Sequence, residues 1–202
     1  MQAFIASDSS RKNSEDRGEI FYVPGGLCMA IADGAGGISG GAEAAAMFIE
    51  VVRQSAASLD SRGGLAGLMM GLDGRMADDP QAGETTGIIV SLRPDKLIGA
   101  SVGDSALWLF NGSTRQELTA GQSRKPLLGS GSTMPHIFTH EVPAGTLVIA
   151  TDGLWKYTGI ETIHQTVRET DSSKLAWKLV DLVRLRSGTL PDDTCVITCT
   201  VP

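Results

Sequence analysis

Four acidic clusters sit at or beside the ends of apolar runs that read as strands. They are Glu15-Asp16, Asp33 in Ile31-Ala32-Asp33-Gly34, Asp152 in Ala150-Thr151-Asp152-Gly153, and Asp192-Asp193. A strand end that opens into a loop lets a rigid scaffold present a carboxylate to solvent. Hard divalent cations such as Mg²⁺ and Mn²⁺ take oxygen ligands, and carboxylates supply both the oxygen and the charge. The spacing therefore predicts a fold that gathers distant strand ends into one metal-binding place.

Runs rich in Val, Ile, Leu and Thr, bounded by Gly, Pro, Asp or Asn, predict strands over residues 3–7, 19–23, 27–32, 86–92, 97–102, 106–110, 146–150 and 195–201. Pro24-Gly25-Gly26 and Arg93-Pro94-Asp95-Lys96 read as hairpin loops and favour antiparallel pairing. Helices are expected over residues 42–59, with Phe48, Ile49 and Val52 on one face, and over 63–77, with Leu65, Leu68, Met69, Leu72 and Met76 on a stripe. A third is expected over 172–187, with Leu175, Leu179, Leu182 and Val183 inward and Ser172 or Ser173 as N-cap. Trp155 and Trp177 are expected to pack against the sheets. This order of elements predicts an α+β layered domain, one unit spanning residues 1–202.

At 202 residues, with 42% apolar and 20% charged side chains, the chain can bury a sizeable core. It has no 18-residue apolar run and no basic segment followed by an apolar leader, so neither a membrane span nor a signal peptide is expected. The net charge of -6 argues against nucleic acid or an anionic membrane as partner. Cys28, Cys195 and Cys199 lie in apolar runs without C-x-x-C spacing; they read as buried, reduced thiols of a cytoplasmic protein. His136, His140 and His164 lack zinc-like spacing.

The glycine-rich stretch from Asp33 to Gly41 follows a strand and opens a helix, the context of a dinucleotide-binding loop. Ser39 stands where the third glycine should be, and Asp33 at the loop mouth would repel a pyrophosphate while holding a cation. The segments that follow read as hairpins, not βαβ crossovers.

Taken together, Arg11-x-x-x-Glu15-Asp16, Ala32-Asp33-Gly34-x-Gly36-Gly37, Val102-Gly103-Asp104-Ser105, Thr151-Asp152-Gly153-Leu154-Trp155 and Asp192-Asp193-Thr194-Cys195-Val196 resemble, in order and over nearly the whole chain, the PP2C-type metal-dependent serine/threonine protein phosphatases. The resemblance implies a four-layer α-β-β-α sandwich with a two-metal centre at one end. It implies that Asp33 bridges both ions, that the Gly34 carbonyl binds one, and that Asp152 and Asp192 hold the first ion. Glu15 and Asp16 would serve the second ion, partly through water. Arg11 would hold substrate phosphate, and Asp104 with Asp152 could take a third, weaker ion. Asp193 stands where the family usually has Asn and reads as a supporting or solvated residue.

The implied activity is Mg²⁺- or Mn²⁺-dependent hydrolysis of phosphoserine or phosphothreonine in proteins, opposing a Ser/Thr kinase, by a monomer. Two cations would lower the pKa of an attacking water and offset phosphoryl charge, and an arginine fork matches phosphate geometry. The alternative is a binding or regulatory module that keeps the fold and turns over poorly. Taken singly, Asp33, Asp104 and Asp152 could be turn or cap residues and Arg11 a solvated charge. Two departures stand out: Ala35 sits where some family members carry a histidine, and the connection between residues 110 and 146 is short for a flap over the site.

Overall fold

A computed structural model describes residues 1–10, 14–35, 40–142 and 144–202. Among them, ten strands form two five-stranded antiparallel sheets. In chain order these are β1 (Gln2–Asp8), β2 (Asp16–Val23), β3 (Gly26–Asp33), β4 (Gly87–Leu92), β5 (Lys96–Val102), β6 (Ala106–Asn111), β7 (Thr114–Glu117), β8 (His136–Glu141), β9 (Gly145–Ala150) and β10 (Thr194–Val201). One sheet runs β1-β10-β9-β6-β7 and the other β2-β3-β4-β5-β8. The helices are α1 (Gly41–Ser55), α2 (Arg62–Ala77), α3 (Asp152–Trp155), α4 (Ile160–Glu169) and α5 (Ser172–Asp181).

Side-chain alternation along the central strands explains the layering. Successive residues of a strand point to opposite faces. In β3, Leu27, Met29 and Ile31 join the core between the sheets, while Cys28, Ala30 and Ala32 join the core under α1 and α2. In β10, Cys195, Ile197 and Cys199 face the partner sheet while Val196 packs with α4 and α5 residues such as Ile163 and Leu179. A strand covered on both faces must be apolar at every position, which is why these runs read as continuous rather than alternating. The result is the four-layer α-β-β-α sandwich that the resemblance implies.

Both expected hairpin loops form: Val23 pairs with Gly26 across Pro24-Gly25, and the Arg93 N–H donates to the Lys96 carbonyl at 2.9 Å. The α1 and α2 stripes are buried as patterned, with Leu68 partly so, and Ser61 caps α2 by accepting the Gly64 N–H at 3.1 Å. Elsewhere the structure differs. The N-cap of α5 is Asp171, and the helix ends at Asp181 rather than continuing to 187. Trp177 is exposed, because it lies two residues, about 200° of helix turn, from Leu175 and Leu179 and so points away from the sheet. Strand β7 is a polar edge strand without an apolar pattern to announce it, and edge strand β8 carries only two adjacent apolar residues, Ile137 and Phe138. Helix α4 did carry a signal, since Ile160, Ile163 and Val167 recur at helical spacing.

The antiparallel order positions the acids. The end of β3, the start of β2, the end of β5, the end of β9 and the start of β10 lie at one end of the sandwich. Those are the points at which Asp33, Asp16, Asp104, Asp152 and Asp192 stand.

Candidate metal centre

Glu15, Asp16, Asp33, Gly34, Asp104, Asp152, Asp192 and Asp193 line one cavity of about 320 Å³, with Ala35, Thr86 and Leu127 completing its wall. Every sequence-expected metal residue is thus brought together, although Glu15 and Asp192 stand near opposite ends of the chain. Carboxylate oxygens of Asp33, Asp104 and Asp152 approach within 4.8 Å of one another. Arg11, the expected phosphate residue, lies outside the described residues.

Local chemistry fixes each acid. Asp16 and Asp33 are directly opposed in the β2–β3 register, so their carboxyl groups lie side by side and perturb each other's ionisation. The Thr151 hydroxyl donates to Asp16 Oδ2 at 2.6 Å and accepts the Cys195 N–H at 2.9 Å, so one side chain ties β2 to β10 beneath the acids. The Asp33 N–H donates to Thr86 Oγ1 at 3.0 Å, and that hydroxyl meets buried Ser105 Oγ at 2.7 Å. Gly34 is packed so closely that a Cβ would lie 2.4 Å from the Gly41 carbonyl oxygen, and at Gly153 it would lie 1.9 Å from that of Asp193. Only glycine allows these approaches of backbone to backbone.

Asp193 is neither solvated nor idle. Its Oδ1 accepts from Ser9 Oγ (2.8 Å), Ser10 N (2.9 Å) and Ser10 Oγ (3.0 Å), and its Oδ2 from the Glu15 N–H (2.8 Å). Burial opposes its ionisation, but the bonds from Glu15, Ser9 and Ser10 outweigh that and hold it below the usual carboxylate range. Sequence reasoning also missed Asp73. On α2 it accepts the N–H groups of Gly129 (2.8 Å), Gly131 (3.0 Å) and Thr133 (2.9 Å), and so anchors the loop whose Leu127 lines the cavity. A single acid beside Leu72 in an apolar stripe was its available signal.

The electrostatics are those of an uncompensated anionic nest. Burial, then the charges of Asp16, Asp152 and Asp104, push the Asp33 carboxyl up to about 9. Burial pushes Asp16 up to about 7 against the Thr151 hydrogen bond, with Asp193 and Asp152 adding repulsion. Burial also raises Asp152, partly offset by Lys156. Carboxylates forced together without enough positive charge, in an all-oxygen set, fit divalent cations of the Mg²⁺ or Mn²⁺ kind.

A third ion fits less well. Arg124 Nη2 stands 2.6 Å from Asp104 Oδ2, and Lys156 Nζ stands 3.4 Å from Asp152 Oδ2 and 3.6 Å from Asp192 Oδ2. The cysteines are not in the cavity: all three are buried and free, and burial pushes Cys28 up to about 12 and Cys199 to about 11, so none is a poised nucleophile.

This layered architecture is the fold of the PP2C-type bacterial serine/threonine phosphatases. Staphylococcus aureus serine/threonine phosphatase Stp1 superposes with a TM-score of 0.84 at 18% identity, over 100% of this chain and 95% of that one. The catalytic domain of serine/threonine protein phosphatase PstP, solved with two manganese ions, gives 0.81 at 21% identity, over 98% and 96% of the two chains. PppA, a regulatory component of the type VI secretion system of Pseudomonas aeruginosa, gives 0.76 at 18%, over 99% and 97%. No protein-family model and no curated sequence matches the chain. At these identities the likeness is one of fold.

Proposed function

We propose that this chain is a Mg²⁺- or Mn²⁺-dependent phosphatase acting on phosphoserine or phosphothreonine in proteins, folded as one catalytic domain over residues 1–202 and active as a monomer. The observation that carries this reading is the convergence of seven acids on one cavity at the end of the sandwich, where Asp33 is held far above its ordinary carboxylate range by burial and by its neighbours' charges. The manganese pair in the PstP structure supports the same ion class.

Asp33 with Asp152 and Asp192 would hold one ion and Asp33 with Glu15 and Asp16 a second, with the Gly34 carbonyl serving one of the two. When bound, such ions lower the pKa of an attacking water and offset phosphoryl charge. The chain's own residues do the positioning. Thr151 holds Asp16 in orientation, Thr86 holds the Asp33 backbone, and Asp193 fixes Ser10 and Glu15 on either side of residues 11–13. Arg11 would orient the phosphate by its guanidinium fork. Ala35 offers the leaving oxygen no proton, so that proton must come from another source.

The physiological substrate would be a phosphoprotein made by a Ser/Thr kinase, and the buried reduced thiols favour a cytoplasmic setting. Among the described residues, no helix is long and apolar enough to cross a membrane. Phosphate release from a phosphothreonine peptide, measured after chelation and again with added Mn²⁺, tests the proposal. Release only with Mn²⁺ supports it; undiminished release after exhaustive chelation overturns it.

A further inference from the structure

We infer that two side chains of this protein, Lys156 and Arg124, take the place of a third cation, so that the centre binds two metal ions and no more. The inference rests on the two-ion reading above and sharpens it.

The outer wall of the cavity is built as one unit. Asp152 opens α3, and Lys156 follows one turn later, its N–H donating to the Asp152 carbonyl at 2.9 Å. Its ammonium therefore comes back along the same helical face to Asp152 and reaches Asp192 as well. Between them, Trp155 donates its indole N–H to the Asp104 carbonyl at 3.2 Å and fastens the β5–β6 turn to this helix. Asp104 in turn carries the guanidinium of Arg124 at 2.6 Å. The two carboxylates on which a third ion would depend, Asp104 and Asp152, thus each have a cationic side chain in ion-pair range, Arg124 on Asp104 and Lys156 shared between Asp152 and Asp192.

Charge counting points the same way. An ion arriving between Asp104 and Asp152 must displace or lie beside two cations, and like charges a few ångströms apart repel even through high dielectric. The inner acids, Asp16 and Asp33, have no such partner among the side-chain ion pairs of the described residues. Divalent charge is therefore needed most around Asp33 and Asp16, while the Asp104 side of the cavity carries protein cations of its own. A lysine and an arginine there also keep positive charge beside an anionic substrate whatever the metal concentration.

Counting bound Mn²⁺ by calorimetry and by the loss of the free-ion electron paramagnetic resonance signal tests this without reference to turnover. Chelated, dialysed wild-type protein titrated with Mn²⁺ to about 1 mM, a range in which weak sites fill, should bind two ions. The Lys156→Asp/Arg124→Ala protein should bind a third, with an affinity at least roughly tenfold above any residual third binding in the wild type, the order expected when a nearby unit charge reverses. Lys156→Arg, which preserves the charge, should remain at two. Three ions in the wild type, or two in a folded double variant, would overturn the inference. A wild-type count of none or one would instead overturn the two-ion centre itself. The wild-type count needs no variant to fold, so it decides the matter alone if the double variant does not.

Discussion

The Asp193 carboxylate accepts the Glu15 N–H at 2.8 Å while its other oxygen accepts the Ser10 N–H at 2.9 Å. One buried side chain at the head of β10 thereby holds both flanks of residues 11–13, the stretch containing Arg11, against the same wall that carries Asp192. Asp193→Ala should leave these donors without their acceptor, costing about 1–3 kcal/mol of stability, with a raised KM for phosphopeptide. Asp193→Asn should recover only part of both, since its one amide oxygen can still accept on one side while its NH2 group cannot accept the N–H on the other. Thermal unfolding and steady-state kinetics of the two variants check this; equal loss in both would show that the charge, not the geometry, matters.

Asp33→Asn should abolish metal-dependent hydrolysis and yet stabilise the metal-free fold near pH 8. At pH 8 burial and the charges of Asp16, Asp152 and Asp104 make folded Asp33 hold a proton that the unfolded chain would release, and a neutral amide removes that cost. Calorimetric scans in chelator, beside Mn²⁺ titrations, check both halves. A less stable metal-free variant would contradict the electrostatic account.

Stability of the metal-free protein should fall as pH rises. Asp16 and Asp33 bind a proton more tightly folded than unfolded, with folded values of about 7 and about 9 against an unfolded carboxylate near 4. Their stabilisation is complete below the unfolded value and is lost as pH climbs through the folded ones. The window of decline is therefore about pH 4 to 9, and the Mn²⁺-induced rise in Tm should widen across it. A metal-free Tm that is flat over this range would refute the prediction.

Thr151→Val keeps shape but removes the hydroxyl that donates to Asp16 and accepts from the Cys195 N–H. The expected cost is about 1–3 kcal/mol for a buried partner left unmatched. Because that hydrogen bond favours the charged form of Asp16, its loss should also weaken Mn²⁺ binding at neutral pH. Denaturant unfolding and Mn²⁺ calorimetry measure the two effects separately.

Arg11→Ala should raise KM more than it lowers kcat. A guanidinium that grips phosphate in the ground state and the transition state alike contributes mostly uniform binding. Unchanged KM in a folded variant would leave Arg11 as a surface charge.

The acids and most strands were legible from the chain itself. Asp33, Asp104, Asp152 and Asp192 each adjoin a β-branched run and a turn residue, and that local grammar marks a strand end whatever the fold around it. The apolar stripes of α1 and α2 were equally plain, since burial of one helix face leaves a period of 3.6 in the residues. Where local signals vanish, so did the reading: β7, with four exposed polar residues, gains its place only by pairing with β6. The exposure of Trp177 turned on the phase of α5, which depends on where Leu175 and Leu179 meet the sheet.

What the sequence determined by itself was therefore the placement of carboxylates at strand ends, in an order that points to a fold. What only the tertiary structure decided was who neutralises whom. Asp193 and Asp73 became anchors for backbone N–H groups from other segments, and Lys156 and Arg124 became partners of Asp152 and Asp104. Propensity and periodicity act over a few neighbours along the chain, whereas a carboxylate's partner and protonation depend on burial and on charges within a few ångströms in space. The β2–β3 hairpin alone pairs residues 16 and 33, but residues 104, 152 and 192 join them only once both sheets have closed.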